Sequence, residues 1–493
     1  MGGKTESLDG ARDVIAPEKA EIAIHEEDVL ARKMTRKILW KLDTRVLPVL
    51  ALLFLCSFLD RTNVGNAKIL GLEDDLGISN DQYANGLAIF YAFYIASEVP
   101  SNLVLKRVTP RIWLPLLTFL WGVVGMCLGF VRNYGDFLAV RALLGLTEGG
   151  LLPGMVLYLS SMYTRAELAL RIGLFYTTAS LSGAFGGLLA RGLSAIPTTS
   201  GVDAQWRWIM IIEGVLTSVV GALAFLALPN SVATASFLSP EERELAQKRL
   251  YLSHNTSLPR ATGPPEPERF RWSEVVRGLT SPQLWLSGTA YFAILSGLYS
   301  FGLFLPSIVV SLGYEANTAQ LMTVPPYAVA AAITVLVAYL SDRLRARGIV
   351  MLFTLPIAII GYAAIANVGD DANAVKYGMV FLMATGLYAS VPPILVWISN
   401  NSAGHYKRAT TTAMQLAIAN CGGFVTTFIY PNKEKPSYFK SHSIVLGLLC
   451  YAWAAILCNV LYCAKINRDK AAGKYDKYSG LGDDREPTFK MVL

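Results

Sequence analysis

The sequence predicts an all-α membrane protein with twelve transmembrane helices in two six-helix bundles. Three observations carry that prediction. Of 493 residues, 53% are hydrophobic and only 16% are charged, against about 25% charge in a typical soluble domain. Twelve apolar runs each reach about 20 residues, the length a helix needs to cross a bilayer. The one long internal polar stretch, residues 229–281, divides those runs six and six. This composition excludes a disordered chain and an ordinary cytosolic enzyme. The net charge of +7 comes from basic residues scattered along the chain. A nucleic-acid-binding protein concentrates them in one patch, so no nucleic-acid partner is expected.

Taken in order, residues 1–45 are polar and charged and lack the apolar core of a signal peptide. Glu6 stands where a myristoylation motif needs Ser or Thr, so this segment is expected to be a cytosolic tail. The first bundle, 46–228, has spans near 46–66, 82–105, 112–131, 134–161, 169–195 and 207–228. Only helices or closed barrels satisfy the backbone in lipid, and barrel strands would alternate instead. The central segment, 229–281, is expected to be a cytosolic loop. Within it, Ser239-Pro240-Glu241-Glu242 is a capping box with Pro at the first helical position, opening a short charged helix through Arg249. Pro259, Pro264, Pro265 and Pro267 mark the rest as loop. The second bundle, 282–465, has spans near 283–312, 320–341, 349–367, 375–400, 409–431 and 443–464, and residues 466–493 form a second cytosolic tail. Six plus six around a polar linker predicts internal repetition. The six cysteines lie mostly in apolar runs without CxxC spacing, and read as small buried hydrophobes.

Basic residues flanking the spans set the orientation. Arg36, Lys41, Lys106, Arg111, Arg171, Arg343, Arg347, Lys407 and Arg468 fall on one side, and Asp74, Asp75, Asp136 and Glu315 on the other. Lys433, Lys435 and Lys440 are exceptions. Both termini are therefore expected in the cytosol, and the sequon Asn255-Thr256-Ser257 is expected to stay bare.

Ionisable groups inside apolar runs are costly and mark pathways. Asp60 and Arg61 lie about 14–15 residues into the first span, roughly 22 Å up. The fourth span runs the other way and brings Arg141 to the same depth. Glu148 follows Arg141 by almost two turns, so both project from nearly one face, about 10 Å apart. The spacing predicts a ladder of two acids and two arginines lining one half of the molecule. A guanidinium matches a carboxylate with paired donors. Two arginines can clamp an organic anion while two acids in a low-dielectric cavity carry protons. The competing reading expects Asp60–Arg141 and Arg61–Glu148 as buried ion pairs that hold helices in register.

Other polar groups in the spans carry weaker signals. Tyr291 and Tyr299 on the seventh span, and Trp397, Asn400, Asn401 and Gln415 in the second half, can bond or stack on a substrate. Aromatics in spans more often pack or anchor at the interface. Glu98 and Glu213 suit structural pairing. The runs Gly183-Ala184-Phe185-Gly186-Gly187 and Ala419-Asn420-Cys421-Gly422-Gly423 are surfaces for close helix approach. The chain has no Walker, Rossmann, zinc or nucleophile-elbow motif. No cofactor, metal or catalytic residue is expected.

From about residue 40 to 465, several stretches together resemble the major facilitator superfamily, and within it the anion:cation symporters. The fungal allantoate permease group is the branch in question, with its nicotinate, biotin, pantothenate and allantoate carriers. The resemblance rests on LDRTNVGNA at 59–67, EVPSNLVLKR at 98–107, RALLGLTEGGLLPG at 141–154 and WRWIMIIEG at 206–214. YLSDRLRAR at 339–347 and IYPNKEKPSYFKSH at 429–442 add to it. It implies alternating access and proton-driven uptake. By similarity to a bacterial sugar-acid importer, Arg61 would hold the substrate carboxylate with Arg141 nearby, while Asp60 and Glu148 would carry protons. Asp342, Arg343 and Arg347 look like the superfamily's gating motif, and Glu98 would replace the Asp missing from its first-half counterpart. Ser180 stands where that importer has a substrate-binding Gln. The seventh span has no Arg or Lys, which speaks against a dicarboxylate. Ala184 replaces the Pro of the drug-exporter motif, which favours uptake.

The expected function is uptake of a small organic anion with protons by a monomeric, multi-pass plasma-membrane carrier embedded in lipid. The alternatives are export of an acidic secondary metabolite and, less favoured, a nutrient sensor that does not transport.

Overall fold

The predicted spans fold as helices, some of them interrupted, with several ends set by identifiable signals. In the computed structural model, which describes residues 30–193, 196, 204–255, 271–369, 372–434, 437–481 and 483–493, the first six are α1 (Leu47–Ile69), α2 (Asn80–Val108), α3 (Pro110–Leu128), α4, α5 (Arg165–Leu193) and α6 (Gln205–Ala227). α4 comes in two segments, Tyr134–Glu148 and Leu151–Met162, separated by Gly149-Gly150. The second six are α7 (Pro282–Ser311), α8 (Val324–Leu344), α9 (Arg347–Asn367), α10 (Asn373–Asn400), α11 and α12 (Phe439–Ala471). α11 is also split, into His405–Asn420 and Gly422–Thr426. Among the described residues, eleven helices are long and apolar enough to span. α11 is the twelfth, shortened by its break and carrying Lys407 and Arg408 in its first turn.

Caps explain several starts. Ser79 and Gln82 form a reciprocal capping box before α2. Asn133 accepts from the Asp136 amide at 2.9 Å to open α4. Pro110 and Pro282 stand in the first turns of α3 and α7, where the missing N–H costs nothing.

The two sets pack alike. α3 lies on α6 as α9 lies on α12; α2 lies on α4 as α8 lies on α10; and α1 contacts α5 as α7 contacts α11. The bundles meet through α1–α7, α5–α8, α5–α10 and α2–α11, and α7 is buried along nearly its whole length. The small-residue runs allow that contact. A Cβ on Gly183 would sit 2.5 Å from the Tyr327 ring, and one on Gly187 would sit 2.5 Å from the Gln320 carbonyl. Gly65 is pressed as closely against the Leu303 carbonyl, at 2.3 Å. All three approaches lie on the face away from the start of α1 and the end of α12, so the bundles are closed there. On the outside, Val215, Val219, Leu223 and Leu226 leave an exposed apolar stripe along α6, as a lipid-facing helix requires.

The predicted capping box is present. The Ser239 amide donates to Glu242 Oε2 at 2.9 Å and the Glu242 amide to Ser239 Oγ at 3.3 Å, opening a helix over Pro240–Asn255. Glu242 also takes Lys41 at 2.6 Å and Lys37 at 3.1 Å from the helical segment that precedes α1. Burial alone would raise its carboxyl. The lysines and the Ser239 amide outweigh that and hold it down at about 2. The loop prolines, and Thr256 and Ser257 of the sequon, lie outside the described residues.

One expectation about the cysteines fails in part. Cys56 and Cys463 are buried, but Cys127, Cys421, Cys450 and Cys458 are exposed. A thiol on a lipid-facing surface needs no burial in protein to leave water.

Candidate functional site

The site begins on α1, where Ser57 and Arg61 stand one turn apart and share a face. Both reach Glu148 at the end of the first α4 segment. The Ser57 hydroxyl donates to Glu148 Oε1 at 2.5 Å, and Arg61 Nε and Nη2 approach the same oxygen at 2.8 and 2.7 Å. Arg61 is 9% exposed at its side chain and Glu148 1%. The expected Arg61–Glu148 pair is therefore formed.

The other side of the guanidinium faces the second bundle. Arg61 Nη1 donates to the Tyr299 hydroxyl of α7 at 3.2 Å. The cation lies over the Tyr94 ring at 4.7 Å and near the Phe58 and Tyr299 rings at 5.3 and 5.6 Å. Such cation–π contacts hold a desolvated cation without a second anion.

Two cavities meet at this residue. The first lies inside the first bundle and is lined by Asp60, Arg61, Arg141 and Glu148 with Phe90, Gly125, Leu128, Leu144 and Met210. The second lies between the bundles. Phe58, Arg61, Thr62, Tyr91, Tyr299 and Tyr388 line it, together with aliphatic positions of α7. Arg61 belongs to both walls.

The expected Asp60–Arg141 pair does not form. Asp60, one position before Arg61, is rotated by about 100° around α1 and turns to α3, where the Trp121 indole donates to its Oδ2 at 2.5 Å. Arg141 lies over the Phe90 ring at 4.6 Å and donates to the Gly86 carbonyl at 3.2 Å. Equal depth brought the two to one cavity without bringing them to one bond.

The remaining candidates divide. Glu98 is buried and accepts from Asn420 of α11 at 3.1 Å, so it bridges the two bundles. Asp342 and Arg347 pair at 2.5 Å, and Arg347 Nε meets the Asn400 amide at 2.8 Å when the oxygen of that amide faces it. Arg343 is exposed and reaches only Tyr339. Tyr291 is buried on α7 beside Tyr176, and Gln415 donates to the Ile394 carbonyl of α10. Neither lines either of the two cavities at Arg61.

Trp397 and Asn401 are also absent from those two linings. The Trp397 indole donates to the Val492 carbonyl at 2.8 Å, and the Asn401 amide brackets the Val492 backbone. They sit at the α10 end where a folded-back tail needs donors. Ser180 satisfies its own hydroxyl on the Thr177 carbonyl.

Sequence reasoning missed Ser57, Trp121, Tyr91, Tyr94 and Tyr388. The available signal was a hydroxyl, an indole or a phenol at mid-span depth, away from the interfaces where such groups usually anchor. In the sequence Asn420 stands only as part of a small-residue run.

Residues 50–427 match the family model described as Major Facilitator Superfamily. An uncharacterized transporter of Schizosaccharomyces pombe is 34% identical over 92% of this chain and 89% of its own length. The high-affinity nicotinic acid transporter of Saccharomyces cerevisiae is 32% identical over 93% of this chain and 85% of its own. Among solved structures, a D-xylose–proton symporter superposes with a TM-score of 0.62 at 15% identity, covering 84% of this chain and 97% of that one.

Proposed function

The chain belongs to the major facilitator superfamily of membrane transporters, and from that premise we propose that it takes up a small organic monoanion together with protons. The observation that carries this reading is the position of Arg61, which is held by Glu148 on one side and opens onto the inter-bundle cavity on the other.

With Glu148 ionised, the guanidinium is committed to it. A proton on Glu148 removes the negative partner and frees the paired donors of Arg61 for a substrate carboxylate. Substrate and proton then bind together, because each makes room for the other. Asp60, in the same cavity with a single indole donor, is the second proton carrier, and Arg141 sets the field around both. Loaded with both ligands, the bundles rock about the fixed site; the loaded and empty states must bind substrate differently for this to drive transport.

The lining also narrows the substrate. The cavity between the bundles presents one cation, three tyrosines and a phenylalanine. That set suits one carboxylate on a flat, weakly polar body, and nicotinate, which a relative carries by name, has this form. The reading places the chain among the anion:cation symporters, in the plasma membrane, with both termini in the cytosol.

Radiolabelled uptake into cells lacking their own carriers tests it, over nicotinate, allantoate, biotin and pantothenate at two external pH values. Uptake of one of these, faster at acid pH, is expected. Uptake of a neutral or cationic compound in their place would overturn the proposal.

A further inference from the structure

Residues 483–493 fold back onto the ends of α9, α10 and α12, and their main chain is gripped by side chains. Asn467 of α12 receives the Met491 amide at 2.8 Å on its oxygen and donates its nitrogen to the Met491 carbonyl at 2.8 Å. Asn401 of α10 treats the next residue the same way, at 2.7 Å from the Val492 amide and 2.9 Å to its carbonyl. Trp397 adds a second donor to that carbonyl. The Leu493 carbonyl then accepts from the Gly348 amide at 3.1 Å. Gly348 is the second residue of α9, whose first amides have no partner within the helix.

Upstream, charges fix the approach. Asp484 meets Lys407 at 2.6 Å and Arg277 at 2.8 Å, and Asp483 meets Arg277 at 3.1 Å. Lys470 donates to the carbonyls of Asp484 and Phe489 at 2.6 and 2.7 Å. Every one of these partners belongs to the second half of the chain. The tail therefore does not bolt one bundle to the other.

An amide side chain that supplies one acceptor and one donor reads a peptide unit and ignores the side chain attached to it. We propose that the pair Asn401 and Asn467 forms a backbone-reading peptide site, occupied by this chain's own residues 489–493. Its occupancy ties α9, α10 and α12 into one unit beside the Asp342–Arg347 loop. Gly348 is part of the fit: a Cβ there would lie 2.6 Å from the Trp397 ring, so the tail, the loop and α10 share one packed corner. The tail is thus a strap that stiffens the second bundle for rigid-body rocking.

Hydrogen exchange read by mass spectrometry on the full-length purified protein tests this. The Met491 and Gly348 amides are expected to exchange at least tenfold more slowly than the same residues in a synthetic peptide. V492A keeps the backbone groups and should leave that protection intact, whereas V492P lacks the amide that Asn401 accepts from and should abolish it. N401A together with N467A should also abolish it. V492A and V492P both remove the partly buried Val492 side chain, so loss of its packing would affect both. Tail amides exchanging at the peptide rate in the unaltered protein, or equal protection in V492A and V492P, would overturn the proposal.

Discussion

Arg61→Lys isolates what the guanidinium contributes beyond its charge. Arg61 uses Nε and Nη2 on Glu148 at 2.8 and 2.7 Å and Nη1 on Tyr299 at 3.2 Å. A lysine ammonium carries the same charge as a point on a flexible stem and cannot present a planar fork. When a substrate carboxylate takes the place of Glu148, the lysine therefore makes one charged hydrogen bond where arginine makes two. A hydrogen bond to a charged group is worth about 1.5–3 kcal/mol. At 1.4 kcal/mol per tenfold, affinity should fall roughly 10- to 150-fold. The assay is binding of the radiolabelled anion to purified protein at fixed pH, with elution as a single species checking the fold. Arg61→Lys binding within threefold of the unaltered protein would refute the fork argument. A comparable loss on binding a neutral competitor would refute it as well.

Other outcomes follow from the same structure. Gly149→Leu should prevent α2 and α4 from meeting, because even a Cβ there would lie 2.2 Å from the Tyr94 carbonyl. Overpacking of this kind costs about 1–3 kcal/mol or more, and a fall in the thermal unfolding temperature of the purified protein reads it. Glu242→Gln should destabilise the junction between the segment preceding α1 and the Pro240–Asn255 helix. The folded carboxyl is held at about 2, below its ordinary value of 4.5, so its contribution is complete above about pH 4.5 and lost as pH falls towards 2. The stability difference between Glu242→Gln and the unaltered protein should then stay constant from pH 8 to about 5.5 and shrink below about 4.5. Endoglycosidase treatment should leave the mobility of the expressed protein unchanged if Asn255 is cytosolic; a shift abolished by Asn255→Gln would reverse the proposed topology.

Charge inside apolar sequence made most of the site legible. Asp60, Arg61, Arg141 and Glu148 were visible because each is an expensive residue in a span, and the depth arithmetic placed all four around one cavity. Depth along a helix says nothing of azimuth, however. That is why the Asp60–Arg141 bond failed, with Asp60 facing α3 and Arg141 lying on Phe90. The same distinction separates Tyr299 from Tyr291: eight residues is about 12 Å along α7 and about 80° around it, and only Tyr299 reaches Arg61. Trp397 and Asn401 were illegible for a different reason. A polar group at the end of a span has the same signature whether it meets a substrate or a returning segment, and the segment here is more than ninety residues away in sequence. The fold was legible throughout, since twelve apolar runs leave lipid few alternatives. The exception is α11, where the small residues around Cys421 that allow close approach also interrupt the helix.

The proposed coupling of protons to a substrate carboxylate through Glu148 and Arg61 is tested most directly in proteoliposomes carrying Glu148→Gln. An imposed gradient, acid outside, should drive accumulation of the labelled anion by the unaltered protein. Glu148→Gln should exchange labelled for unlabelled anion across the same membrane and fail to accumulate it. Accumulation by Glu148→Gln equal to that of the unaltered protein would contradict the account.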